Sequence, residues 1–424
     1  MIPNVITAPQ PLIESAARWL TPRRIRAQAI ILALCLWGVC AVDFATPGLF
    51  DRAGNIKFQD FVQFYISAHL IRQGRTDVLY DQHVADQQMR AVVGDQNRVR
   101  LPTVYGPQVG LTFVPLARFS FLSAACMWVA ISLATVAACL YLIWRSCDTL
   151  RPYVPTVVLC ALAFPPVFHF FVRGQISALL LVCFSAAFLA FRADHEWLGG
   201  IALGFLVFKP QFLVALPLIL LLAQAWKACA GLALSAAGQM ALTALYFGPA
   251  AVRTYFDTML HMSRWIDLAE LVPSPIQMHS LRSFWTLLIP WPDLSLALYL
   301  ISSIVTILIA AAVWRSGADL ALRFTALTLA AVLVNPHIFV YDLLVLAPAL
   351  LLLADWILAH PQHPSSSTLL LLAYLTFMLP LLGPLSRWTH IQLSVPAFAA
   401  LLCFLWLDCR TPSHKLASNE SAVV

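Results

Sequence analysis

Apolar runs recur along this chain near residues 27–44, 121–143, 154–172, 176–192, 229–247, 294–314, 322–335, 338–357, 368–383 and 391–408. A helix needs about 20 apolar residues to cross a bilayer, and such a succession has no place in a water-surrounded core. A further stretch, 197–225, holds two shorter apolar halves separated by Lys209-Pro210. Counting each half as a partial or tilted crossing gives about twelve spans. Composition agrees: 61% of residues are hydrophobic and 11% charged, against about 25% charged in ordinary globular domains. Mean hydropathy over the chain is +0.81. The sequence therefore predicts an all-α polytopic membrane protein.

The same counts exclude other classes. Net charge is +6, and the 26 Lys and Arg residues are scattered, whereas a nucleic-acid reader gathers them into a stripe. The ten Cys form no C-x-x-C pair and lie mostly within apolar runs, which argues against zinc sites and a disulfide framework. No dinucleotide or P-loop fingerprint occurs, which argues against direct use of a nucleotide sugar.

Charge placement sets an expected topology. Arg18, Arg23, Arg24 and Arg26 precede the first span and put a basic N-terminus, 1–26, in the cytoplasm. Arg145, Arg151, Arg192, Lys227, Arg315, Arg410 and Lys415 fall on the same side, with a cytoplasmic tail at 411–424. Arg173 and Arg387 fall on the other. The membrane domain, 27–410, then carries two extracytoplasmic caps, at about 45–107 and 248–293. The first cap has 13 charged residues in 63; the second holds Arg253, Asp257, Arg264, Asp267, Glu270 and Arg282. The expected location is the cell (inner) membrane, as an uncleaved multi-pass protein.

Residues 57–73 read as an amphipathic helix. Phe61, Phe64, Tyr65, Ala68 and Ile71 recur at helical spacing, Asp60, Gln63 and Ser67 share another face, and Gly74 is a fitting stop. Such a helix lies flat on the membrane interface, its polar face toward water or an internal cavity. On spacing alone, Asp60 fits a solvated position. Its aromatic neighbours also fit a carboxylate held beside apolar surface, with a raised pKa and the capacity to act as a base.

Several motifs occur in a fixed order. Asp60-x4-Tyr65-x2-Ala68-x-Leu70-x3-Gly74-x4-Leu79-Tyr80 comes first, then Tyr105-Gly106-Pro107 and Pro115-Leu116. Gly174-Gln175, Gly200-x3-Gly204-x4-Lys209-Pro210, Ser280-Leu281 and Asn335-Pro336-His337 follow. Together, from about residue 20 to 410, they resemble glycosyltransferase family 87, membrane enzymes of the GT-C superfamily similar to polyprenol-phosphate-mannose-dependent mannosyltransferases. The resemblance implies a GT-C-like bundle. It also implies transfer of a hexose, mannose being the family's best-characterised sugar though not one these residues specify, from a polyprenyl-phosphate donor to a lipid or glycan hydroxyl with inversion. The implied partners are that donor, the acceptor and membrane lipids, with no cofactor; the scattered charge leaves out nucleic acid, and no Asp-x-Asp pair occurs in the first loop, so no required metal is expected.

The resemblance also implies roles. Asp60 matches the acidic residue taken as the family's catalytic base. Lys209 is a candidate for the donor phosphate, since an intramembrane charge costs about 2.5–3.5 kcal/mol and normally faces a cavity or partner; the plain alternative is a Lys snorkelling from a helix end. Arg173 suits phosphate or sugar, or an interfacial anchor. Gln175 suits sugar hydrogen bonding, or a structural donor at a helix start. His337 suits orienting Asp60 or contacting phosphate, or a hydrogen-bonded interfacial role. Asp342 is expected to be paired inside the bundle, with a partner the sequence leaves open. Asp194-His195-Glu196 reads as a solvated turn, Asp81-x-His83-x2-Asp86 has no regular coordination spacing, and Gly200-x3-Gly204 reads as close helix packing. A transporter is the rival class, since broken helices and intramembrane charges are shared with it. Only one half of the chain has a Lys-Pro break, however.

Overall fold

The computed structural model describes residues 10–94, 104–265 and 275–410. Of the charges expected in the caps and tail, Asp95, Arg98, Arg100, Asp267, Glu270, Lys415 and Glu420 and the side chain of Arg264 lie outside the described residues. The protein is an all-α membrane protein, 79% helical, without a strand among the described residues. Among the described residues, six helices are long and apolar enough to cross a membrane: Pro22–Phe44, Phe121–Trp144, Trp226–Phe247, Pro292–Arg315, Val340–Ala359 and Ser366–Thr389. A bent pair, Arg151–Ala163 and Pro165–Arg173, meets at 49° and supplies a possible seventh. The other apolar runs fold as shorter helices: Ser177–Arg192, Glu196–Phe208, Pro210–Leu222, Leu320–Leu333 and Ser394–Asp408. The expected dozen is therefore not twelve full-length helices.

Local chemistry explains the breaks. Phe164 is extended (ψ 115°) before Pro165, because proline drives its predecessor out of the helical region. Lys209 (φ −129°, ψ 74°) likewise precedes Pro210 and separates two 3₁₀ turns, Phe205–Phe208 and Pro210–Leu213. Gly174 ends Pro165–Arg173 in the left-handed conformation, φ +67°, which costs glycine nothing.

The surface is that of a protein in lipid. Leu242, Leu245, Leu300, Ile301, Ile304 and Leu308 are all exposed on Trp226–Phe247 and Pro292–Arg315, large apolar side chains suited to lipid rather than water. Glu196–Gly204 and Trp226–Phe247 approach to backbone contact. A Cβ on Gly200 would lie 2.0 Å from the Ala228 carbonyl oxygen, one on Gly204 2.4 Å from that of Leu232, and one on Gly231 2.2 Å from that of Trp197. These glycines are packing residues.

The helix expected over 57–73 runs Phe61–Arg72, and Gly74 follows it at φ +72°. Its setting differs from the expectation of an interfacial helix. Nine of its twelve residues are buried, Gln63 among them, because Pro107–Phe113, Phe121–Trp144 and Gln82–Val93 pack around it. Phe61, Phe64, Phe113 and Trp128 form one aromatic cluster there, with stacked or edge-on ring pairs at 4.7–5.7 Å. Lys57 is also buried. It donates to the carbonyls of Thr46 (2.5 Å) and Gly48 (3.1 Å) and ties the preceding loop to the helix.

Candidate active site

Asp60 stands at the N-cap position of Phe61–Arg72, where an aspartate normally caps the helix. Its carboxylate makes no capping bond. It turns instead toward the left-handed turn at Arg173-Gly174-Gln175. The Asp60 amide donates to the Arg173 carbonyl (3.0 Å), and Gln175 Nε2 donates to Asp60 Oδ2 (2.8 Å). Arg173 Nη1 lies 3.8 Å from Oδ1, an ion pair too long to be a hydrogen bond. One carboxylate oxygen is thus held and the other is free to accept.

Glycine at 174 makes this approach possible. A Cβ there would come within 3.0 Å of Phe58 Cβ and 3.1 Å of Phe61 Cβ. The Gln175 side chain is fixed in turn, with Oε1 accepting from the Ile176 amide (3.3 Å) and from Tyr105 OH (3.5 Å). The Gln175 carbonyl accepts from Trp128 Nε1 at 3.3 Å.

A second pair lies beside the first. Lys209, 2% exposed, donates to Asp342 Oδ1 at 2.5 Å, and Ser177 Oγ donates to the same oxygen at 2.8 Å. The Lys209 ammonium also faces the rings of Tyr341 (5.5 Å) and Tyr105 (5.8 Å). Lys209 is therefore not a snorkelling side chain: it is turned inward, and Asp342 is its counter-ion. The Lys-Pro break allows this, since it swings position 209 off the helix axis toward the 3₁₀ turn Val340–Val345 that carries Asp342.

Tyr105 links the two pairs, touching Gln175 by hydrogen bond and Lys209 by its ring. Burial raises the Asp60 pKa above the ordinary carboxylate range. Arg173, the Gln175 hydrogen bond and Lys209 oppose that shift, and Asp342 adds to it. Burial also raises the Tyr105 phenol, with the Asp342 and Asp60 charges adding, and keeps it protonated as a donor.

Asp60, Arg173, Gln175 and Lys209 thus belong to one polar cluster. His337 stands at its edge. Its imidazole makes no hydrogen bond to Asp60 or to any other described side chain; the ring lies edge-on to Phe339 at 4.9 Å. Burial pushes its pKa down to about 4 against the pull of Asp342, so it is neutral at physiological pH. The Asn335-Pro336-His337 motif has a visible local role: Asn335 Oδ1 accepts from the His337 amide at 2.9 Å and closes the turn. Three members of the cluster were not singled out from sequence as site residues, namely Tyr105, Ser177 and Tyr341. Tyr105 stood in a quoted motif, and Tyr341 adjoins Asp342. Ser177 carried no signal.

The discounted acidic clusters stay apart from this site. Asp81 caps Gln82–Val93 through the amides of His83 and Val84, and Asp194 lies in a turn at φ +57°. No group of three or more His, Cys, Asp or Glu side chains is placed to hold a metal among the described residues.

Residues 103–340 match the family model of glycosyltransferase family 87. The chain belongs to this family. No curated protein and no solved structure matches it. The matched region of this membrane glycosyltransferase contains Tyr105, Arg173, Gln175, Lys209 and His337, whereas Asp60 and Asp342 lie outside it.

Proposed function

We propose that this family 87 glycosyltransferase moves a hexose, mannose in the first instance, from a polyprenyl-phosphate donor to a lipid or glycan hydroxyl, with Asp60 as general base. The observation that carries this reading is the state of Asp60: a buried carboxylate that declines its helix cap, with Oδ2 fixed by Gln175 and Oδ1 left open. Oδ1 takes the acceptor proton as the hydroxyl oxygen attacks the anomeric carbon. The bond from that carbon to the phosphate oxygen breaks, and the lipid phosphate leaves with the electron pair. A single displacement inverts the anomeric centre, through an oxocarbenium-like transition state.

The leaving phosphate needs cationic or donor groups. Arg173 is the accessible one, with its side chain 37% exposed. Lys209 is closed off by Asp342 and reaches phosphate only when that pair opens, so it serves first to hold Tyr105 and Tyr341 in place. His337, neutral, is a hydrogen-bonding group at the rim. The distribution of Lys and Arg supports cytoplasmic termini and a site on the extracytoplasmic face of the cell membrane. No cofactor or metal is part of the proposed reaction.

The test is Asp60→Asn, assayed with membranes and labelled polyprenyl-phosphate hexoses. Transfer should fall by about 10²–10⁴-fold, the usual contribution of a general base. Burial lifts the folded-state pKa of Asp60 above its unfolded value, so ionised Asp60 costs stability once pH exceeds both. The variant should therefore melt no lower than wild type at neutral pH. Full activity in Asp60→Asn would falsify the base assignment, and uptake into reconstituted vesicles without any transfer would make the protein a transporter.

A further inference from the structure

Beside the charged cluster lies an apolar groove of about 970 Å³. Its walls come from Pro107–Phe113, Ser177–Arg192, Glu196–Phe208 and Trp226–Phe247. The backbone contact at Gly200, Gly204 and Gly231 holds two of those walls together. Its rim is formed by exposed Val182, Leu198, Phe205, Leu242 and Leu245, so it opens sideways, toward lipid rather than water. Its inner end reaches Phe208, the residue before Lys209, and Gln108, three residues after Tyr105.

Gln108 is the anomaly in this groove. Both its amide oxygen and its amide nitrogen are buried without a hydrogen-bond partner, and no other side chain lining the groove has an unpaired buried oxygen or nitrogen among the described residues. Gln239 and Thr243 bond to backbone within their own helix or to Gly204. The Gln108 amide folds back over Gly106, where a Cβ would meet Oε1 at 2.4 Å. An unmade pair of amide bonds is costly in a buried position. It is relieved by a ligand that both donates and accepts. A hydroxyl does both, whereas a phosphate diester only accepts.

We propose that this groove seats the chain of the lipid-linked donor, and that Gln108 reads a hydroxyl of its sugar. The inference rests on the donor class proposed above and deepens it. The chain enters laterally between the exposed leucines, and its head is drawn toward Tyr105 and Arg173. Gln108 swings off Gly106 without breaking a bond, since it has none to break. Gln108 is thereby a specificity residue, and the groove the seat of the donor's chain.

The experiment uses the full-length protein in nanodiscs and three photo-crosslinking probes: a polyprenyl phosphate, the same lipid carrying mannose, and phosphatidylinositol. Binding is measured for wild type, Gln108→Leu and Ala186→Trp. Ala186 lines the groove and faces outward, so a Trp there fills space without entering the core. Wild type should bind the mannosylated probe about tenfold tighter than the bare phosphate, the worth of one or two hydrogen bonds. Gln108→Leu should erase that difference with bare-phosphate binding unchanged. Ala186→Trp should lose cross-linking of both polyprenyl probes. Undiminished binding in Ala186→Trp, or phosphatidylinositol cross-linked in the groove, overturns the seat. Sugar discrimination kept in Gln108→Leu overturns its role. If wild type binds neither polyprenyl probe, the donor class itself fails, and the inference with it.

Discussion

The Lys209–Asp342 pair makes a quantitative demand on the protein. At 2.5 Å two unit charges attract by about 7 kcal/mol at an effective dielectric of about 20. Both partners are 2% exposed, so desolvation, at several kcal/mol per ion, offsets most of that gain. The pair is therefore near neutral as a unit and costly to split. Lys209→Met strands a carboxylate beside Ser177, and Asp342→Leu strands an ammonium between two tyrosine rings; each should cost about 3–5 kcal/mol. The double variant removes both charges and should return to within about 1 kcal/mol of wild type, the lost Ser177 hydrogen bond included. The cycle then gives a coupling energy of at least about 5 kcal/mol. Reversible unfolding in mixed micelles measures the four corners. If the double variant costs the sum of the singles, or if either single costs less than about 1 kcal/mol as an exposed pair would, the physical reasoning about this site is wrong. A folded double variant also separates roles: transfer lost in a protein of wild-type stability assigns the Lys209–Asp342 pair to the site rather than to the fold.

Three further outcomes are expected. The rate of transfer should fall as pH drops through the raised pKa of Asp60, because protonation removes the base; the acid limb should sit above the ordinary Asp value of about 3.9. Arg173→Gln removes the main opposing charge and should move that limb further up, so a limb at or below the ordinary value sinks the burial account. Gly174→Ala should cost about 1–2 kcal/mol for its left-handed backbone, and transfer should drop further than stability, because the clash with Phe58 and Phe61 pushes Gln175 off Asp60; equal losses in both would deny the turn its positioning role. Gly200→Ala should destabilise by about 3 kcal/mol through overpacking against the Ala228 carbonyl, whereas Gly238→Ala in the same helix pair, with nothing within 4 Å, should stabilise by about 0.5–1 kcal/mol; chemical unfolding of the two variants compares them directly.

Much of the site was legible in residue types that resist burial. Lys209 stood out because a lone Lys between apolar halves normally faces a cavity or partner. Other features were not legible. The segment after the first span carries an amphipathic pattern suited to the membrane surface, yet it is buried on nearly all sides. Periodicity reports the contrast between faces and is silent on what covers the polar one. For His337, residue type suggested contact with Asp60 or phosphate; the structure shows its ring against Phe339 and its amide in a turn. Gln108 gave no sign at all, since an unpaired amide is a property of its surroundings.

By itself, the sequence determined the solvent this chain lives in, the places where its helices break, and the family it belongs to. Run length, proline and motif order are properties of a line of residues and need no folding to be read. Only the tertiary structure decided that Asp342 belongs to Lys209 and that Gln175 holds Asp60. These contacts join residues 133 and 115 positions apart. Which distant groups meet is fixed by how whole helices pack, through backbone contacts such as those at Gly174 and Gly200, and no local pattern encodes that choice.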